Sequence, residues 1–386
     1  MEMRDWLNLI EEIGPAFREG ADERDALDGF VADHYPVIRN RGLLAAMIPT
    51  DLGGGGAGHS TVADMLRRLA YYDGSTALAL SMHQHLVAAQ VFNHQHGKPA
   101  PVLPRVATEQ LVLVSTGARD WLESNGTMRA VDGGYLLTAR KAFASGSPAG
   151  DIAVTSAPFE DPAAGWQVLH FAVPLQSEGV RLEDDWRAHG MRSTGSGTIV
   201  FDEVFVPEAA VALRRARGEL HPVWDVVLTV AMPLIAGVYV GIAEHASELA
   251  VDLAVRHADN VEVQWAVGEM QSLLVTAQAL HARMVTLAND LDFTPSVALS
   301  NEILILKTQV VELARQTVER AVEAAGGPGF YRRNELERLL RDVRAGHYHP
   351  LPAKQQLRFT GRLALGLPPI EAWSLSEPTG VPVTVP

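Results

Sequence analysis

Two of the chain's three His-x-His pairs stand out among the side chains able to do chemistry: His83 with His85, and His347 with His349. Histidine titrates near neutrality and can move a proton or hydrogen-bond a substrate. Such pairs could suggest a metal, but no paired carboxylate at ligand spacing accompanies them, so no metal site is expected. Asp225 heads an uncharged run, Val226 to Ala243, that Glu244 closes. A carboxylate at a helix N-terminus is stabilised by the macrodipole, and a desolvated one can act as a base. Two arginine groups, Arg214/Arg215/Arg217 and Arg332/Arg333/Arg338/Arg341/Arg344, are places where an anionic ligand could be met; a solvated face or a subunit contact would use them equally well.

The composition narrows the chemistry. With no cysteine, thiolate nucleophiles, zinc–thiolate sites, iron–sulfur clusters and disulfides are excluded. The 32 Lys and Arg against 46 Asp and Glu give a net charge of −14, which disfavours a general nucleic-acid or anionic-membrane binder. Apolar residues at 47% suit a globular protein. Met1-Glu-Met-Arg-Asp-Trp-Leu7 has no basic region followed by an apolar core, so no secretory signal is expected and the location expected is cytoplasmic. Val226–Ala243 approaches membrane-spanning length, but Pro233, Gly237 and Gly241 interrupt it and no second such run exists. It reads as a helix buried inside a bundle.

The elements that must position these residues follow from periodicity. Trp6, Ile10, Ile13 and Phe17 mark one helix face, and Val62, Met65, Leu66 and Leu69 another, on either side of the loop Leu52–Gly58. Pro99, Pro101 and Pro104 mark a connection. Short β-favouring runs follow: Tyr135–Thr138, Ile152–Thr155, Val168–Val173 and Thr198–Phe201. Helical stripes return at Met270–Leu291 and Leu306–Ala325, the latter stopped by Gly326-Gly327-Pro328. The tail after Glu377 reads as a surface extension. Segregated strands and helices exclude a doubly wound sheet, and the glycines at 53–58 follow no βαβ strand.

In this order, several motifs resemble the acyl-CoA dehydrogenase superfamily over nearly the full chain. They are Gly42–Gly54, Gly134–Lys141 with Phe143-Ala-Ser145, Trp186, Gly190–Ser196, Val200–Glu208, Ala325–Phe330 and Glu337–Asp342. The resemblance implies an α+β multidomain chain: an N-terminal helical domain (1–107), a central β-barrel (108–215) and a C-terminal four-helix bundle with an extended tail (216–386). It also implies a homo-oligomer, dimer or tetramer, with a flavin between barrel and bundle and a neighbouring subunit touching its adenosine end. Ser115, Thr116, Phe143, Ala144 and Ser145 occupy the places that bond or cover the isoalloxazine. Arg256, Gln264, Gly326 and Gly327 occupy those that meet the pyrophosphate, where small residues admit backbone N–H groups.

The sequence departs from that pattern at three places. Val114–Asp120 is shorter than the family's acidic, Gly-rich stretch and lacks its Glu-Pro pair. Val261-Glu-Val follows Asn260 where the family tends to Phe-Gly, so the cofactor implied is FAD with FMN as an alternative. The family's glutamate base, eight residues after the Arg-Asp pair, falls on Pro350. An alternative base position, on an earlier bundle helix, falls on Asp225, while His347 and His349 sit just before the vacated place. The activity implied is flavin-dependent oxidation of the CH–CH bond of an acyl thioester, with Asp225 or His349 as the catalytic candidates and an electron-transfer flavoprotein as partner. The alternative is a two-component monooxygenase that takes reduced flavin from a reductase and needs no carboxylate base. A non-catalytic member that kept the fold is a third reading.

Overall fold

The structure, a computed structural model, describes residues 5–116 and 122–371. Residues 117–120 of the Gly-rich stretch and the tail after Glu377 lie outside the described residues.

Helices come first among the described residues: α1 (Trp6–Arg18), α2 (Ala21–Ala26), α3 (His34–Asn40), α4 (His59–Tyr72), α5 (Gly74–Gln95) and α6 (Val102–Glu109). The faces read from spacing are the buried ones, with Trp6, Ile10, Ile13 and Phe17 inward on α1 and Val62, Met65, Leu66 and Leu69 inward on α4. Asp5 and Asp73 cap α1 and α5 by accepting the Asn8 and Thr76 amides. The proline-marked connection is instead partly helical. Pro104 sits in the first turn of α6, where a missing N–H leaves no bond unmade.

The strands among the described residues follow: β1 (Leu113–Ser115), β2 (Thr127–Val131), β3 (Gly134–Lys141), β4 (Ile152–Asp161), β5 (Gly165–Pro174), β6 (Val180–Leu182), β7 (Ile199–Pro207) and β8 (Val211–Ala216). They make two four-stranded sheets, ordered β1-β4-β5-β8 and β2-β3-β7-β6. Only the β1–β4 pairing is parallel among the described residues. The alternate residues of both sheets, among them Leu137, Ala157, Leu169, Phe171, Phe201 and Val204, share one apolar core. The closed barrel expected from the resemblance is not formed. Closure needs a continuous ladder around the barrel, whereas β1 and β6 are three residues long and, among the described residues, no pairing joins the two sheets.

The remaining helices are α7 (Val223–Ala254), α8 (Val261–Ala288), α9 (Val297–Ala325), α10 (Leu336–Asp342) and α11 (Ala353–Ala364). Three are long. The fourth place in the expected bundle is shared by the short α11 against α9 and by α4 against α7. Helix α7 is long and apolar enough to cross a membrane by length and composition, and 89% of its most apolar window is buried. Its apolarity all round reflects neighbours on every side: α4, α5, α8 and α9. At Gly241 a Cβ would stand 2.0 Å from the Arg67 carbonyl of α4, so glycine alone lets these helices approach.

Candidate active site

The strand ends carry the first half of the site. At the end of β1, Ser115 is half-buried and its hydroxyl has no hydrogen-bond partner among the described residues, and buried Thr116 hydrogen-bonds the Thr155 hydroxyl at 2.7 Å. After β3 the backbone turns through Phe143 at φ +60°, an unusual conformation for a bulky residue. The Phe143 ring is 45% exposed and meets Trp186 edge-on at 5.9 Å. Ala144 is fully buried and donates its amide to the Gly197 carbonyl. Ser145 and Ser196 hydroxyls are 2.7 Å apart, Ser196 and Thr194 hydroxyls 2.6 Å. Thr194 donates its own proton to the Met191 carbonyl at 2.9 Å. The chain therefore runs Ser145 to Ser196 to Thr194, each donating to the next, which leaves Ser145 Oγ as an acceptor.

Helix α10 sets the loop that carries these hydroxyls. Asp342 accepts the Met191 amide at 2.5 Å. A Cβ on Gly190 would stand 2.3 Å from the Arg341 carbonyl, so the loop lies flat on the helix. Burial raises the Asp342 carboxyl to about 6, against the pull of Arg338 3.9 Å away.

The second half lies on the helices. Asp225, in the first turn of α7, is buried and accepts the Ser300 hydroxyl of α9 at 2.6 Å. Burial raises its carboxyl and the Ser300 bond offsets part of that rise. Further along, the Tyr239 hydroxyl lies 2.6 Å from His349 Nε2. Lys307, buried on α9, donates to the carbonyls of His349 and Leu351 at 3.1 and 2.6 Å. Burial lowers the Lys307 ammonium to about 8. Burial and the Lys307 charge lower His349 to about 3, and His85 is close enough to add to the effect. His85 is itself lowered to about 4 by burial and makes one long contact, 3.3 Å, to the Ser81 carbonyl. At neutral pH this layer is a pair of neutral imidazoles beside one buried ammonium.

The two His-x-His pairs thus divide. His83 accepts the Leu113 amide at 3.0 Å and donates to the Leu44 carbonyl at 2.9 Å, fixing the start of β1 on α5. It is a structural residue. His347 faces Glu312 at 3.7 Å, and His85 and His349 share the layer just described. Spacing alone missed Tyr239, Lys307 and Ser300. Tyr239 is one of two hydroxyls in the uncharged run, and Lys307 falls on the buried face of Ile303, Val310 and Ala314, where a cation needs a reason.

The pyrophosphate candidates gather elsewhere. Arg256, Gln264, Gly326 and Gly327 lie at the end of the bundle where Glu269 of α8 pairs with Arg320 of α9, opposite the Asp225–Ser300 end. Along α7, Asp225 and Arg256 are about 46 Å apart. Arg256 is exposed with no intrachain partner among the described residues. Gln264 donates to the Ala258 carbonyl, holding its own turn. Gly326 and Gly327 face open space. Most of the clustered arginines are already engaged. Arg338 pairs with Asp22 and Glu335, Arg341 with Asp25 and Glu337, Arg344 with Glu319 and Arg214 with Glu208, while buried Arg215 lies against His170. Of the second group, Arg332 and Arg333 are the exposed members whose charge is not matched by a carboxylate within 4 Å.

Family models for the acyl-CoA dehydrogenase N-terminal and C-terminal domains match residues 10–108 and 234–352. The chain belongs to the acyl-CoA dehydrogenase superfamily. Within it, amino sugar nitrososynthase DnmZ of Streptomyces peucetius is 29% identical over 377 residues, covering 93% of each chain. Dibenzothiophene monooxygenase of Rhodococcus erythropolis is 29% identical over 267 residues, 62% of this chain and 59% of that protein. A solved structure of KijD3 in complex with FMN and dTDP-3-amino-2,3,6-trideoxy-4-keto-3-methyl-D-glucose superposes with a TM-score of 0.84 at 27% identity, covering 94% of this chain and 93% of that one. A nitrososynthase thus aligns with nearly the whole chain and a monooxygenase with part of it, while putative acyl-CoA dehydrogenase YdbM of Bacillus subtilis is also 29% identical over 376 residues, covering 90% of this chain and 93% of that one.

Proposed function

We propose that this protein is a flavin-dependent monooxygenase that receives reduced flavin, FMN rather than FAD, from a separate reductase and acts on a small molecule. One observation carries the reading. Where dehydrogenases of the superfamily keep a glutamate base, this chain has Pro350, and beside it His349 held neutral by burial and by Lys307. A group that stays neutral near pH 7 and has a pKa of about 3 is a poor base for a weakly acidic C–H bond. It is a competent hydrogen-bond donor.

The residues present suit a flavin ring. The exposed Phe143 ring and half-buried Trp186 offer an apolar surface beside the Ser145–Ser196–Thr194 hydroxyls. Ser145 Oγ, left as an acceptor, suits a ring N–H, of which reduced flavin has more than oxidised flavin. Bound there, the flavin would supply the electrons for oxygen chemistry. His349 would donate a hydrogen bond, and neutral His85, whose Nδ1–H faces the Ser81 carbonyl, would offer Nε2 as an acceptor. The nitrososynthase and monooxygenase relatives and the FMN complex support this reading. Arg256, Gln264, Gly326 and Gly327, too distant to serve the same ligand, would meet a ligand held by a second copy of the chain.

The test supplies chemically reduced FMN or FAD with oxygen and assays amines and sulfur heteroaromatics for oxygenated product. Product with reduced FMN is expected, and none from any substrate with either flavin would overturn the reading. A second reading, acyl-thioester dehydrogenase with Asp225 as base, rests on that buried carboxylate and its raised pKa. It requires anaerobic bleaching of the flavin band by an acyl-CoA or acyl-carrier-protein thioester.

A further inference from the structure

We infer that Tyr239 is a positioning residue that fixes His349 as its Nδ1–H tautomer and so turns the imidazole into an obligate hydrogen-bond donor. Tyr239 is fully buried on α7, so no solvent can take its proton. Among the described residues its hydroxyl has one neighbour within hydrogen-bond distance, His349 Nε2 at 2.6 Å. A buried hydroxyl proton needs an acceptor, and this nitrogen is the acceptor present. If Nε2 carried the proton instead, the tyrosine proton would be buried unpaired, at a cost comparable to a lost hydrogen bond. Nε2 is therefore unprotonated, and a neutral imidazole must then carry its proton on Nδ1.

The surroundings block the other escape, protonation of both nitrogens. The charged and titratable groups facing the ring are Lys307 from α9, Tyr239 from α7 and His85 from α5. Lys307 is a cation tied to the carbonyl of His349 itself. Burial and that ammonium both disfavour imidazolium. His349 Nδ1 has no protein partner among the described residues, and the residue is half-buried rather than enclosed, so the N–H is free to meet a ligand acceptor. That the acceptor is an oxygen of the reacting species rests on the monooxygenase reading; the tautomer does not.

The proposal is tested on the purified protein labelled with 15N at histidine. Two-bond proton–nitrogen spectra distinguish Nδ1–H from Nε2–H, with the His349 signals assigned by their loss in His349→Gln. A single Nδ1–H tautomer, unchanged from pH 8 to pH 5, is expected. In Tyr239→Phe the signal should shift towards a mixture with Nε2–H, and kcat with reduced flavin should fall roughly tenfold with KM unchanged. An Nε2–H signal in the unaltered protein overturns the proposal without any variant. So does an unshifted Nδ1–H signal in folded Tyr239→Phe. If the tautomer is as stated and no oxygenated product forms, the functional reading fails and the assignment stands.

Discussion

The Asp342 carboxylate accepts the Met191 backbone amide at 2.5 Å, joining α10 to a loop 151 residues earlier in the chain. That bond holds the turn from which Thr194 and Ser196 reach Ser145. Replacing Asp342 with Ala should leave the amide unpaired and destabilise the fold by about 2–4 kcal/mol, read as a lower urea midpoint.

Asp342→Asn separates charge from hydrogen bonding, because the amide oxygen still accepts from Met191. The Asp342 pKa is raised from 3.8 to about 6 on folding. The folded state thus binds the proton more tightly, and the associated stability is present below pH 4 and lost as pH rises through 6. The stability of the natural protein relative to Asp342→Asn should fall between pH 4 and pH 7 by on the order of 3 kcal/mol. Urea titrations of both proteins across that range check it; a constant difference would contradict it.

His83 and His85 should separate stability from activity. His83→Ala removes both the Leu113 and Leu44 bonds and opens a cavity, and should cost about 3 kcal/mol. His85→Gln gives up one long contact, so its urea midpoint should shift by less than about 1 kcal/mol equivalent. Product formation with reduced flavin should nevertheless drop at least about tenfold in His85→Gln.

Phe143→Gly relieves the positive φ and deletes the exposed ring. The flavin-free protein should be as stable or more stable, by up to about 1 kcal/mol. Flavin binding, followed by fluorescence quenching, should weaken about tenfold if the ring covers the isoalloxazine.

Asp225→Asn keeps an acceptor for Ser300 and removes the only carboxylate the α7 start offers as a base. Oxygenated product should stay within about threefold of the unaltered protein. Loss of thioester-dependent flavin bleaching in this variant, had the unaltered protein shown it, would favour the dehydrogenase reading.

Much of this was legible in the sequence where the information is local. Three of the four β runs lie within β3, β4 and β5, the fourth starts one residue before β7, and Gly326 ends α9 with φ +61°. What could not be read depends on partners far along the chain. Arg338 and Arg341 stood open to a ligand or a solvated face in the sequence, yet besides Glu335 and Glu337 one turn away each pairs with a carboxylate, Asp22 or Asp25, 316 residues away. Sheet closure failed to form because it turns on pairing between edges, which no strand's own pattern encodes. Lys307 could have been flagged by its place on an apolar face, but its two carbonyl acceptors belong to a segment with no periodicity at all.

The apolar helix α7 also sets a timetable. It leaves the ribosome with α4 and α5 already made, but the partner it touches most, α9, ends 71 residues after α7 does. At the usual synthesis rates of about 5–20 residues per second, that face stays uncovered for roughly 4–14 s. During that interval the α9-facing side of an uncharged run of near-membrane length lacks its main cover. Translation that stalls between α7 and α9 should therefore yield aggregates, whereas stalling after α9 should not.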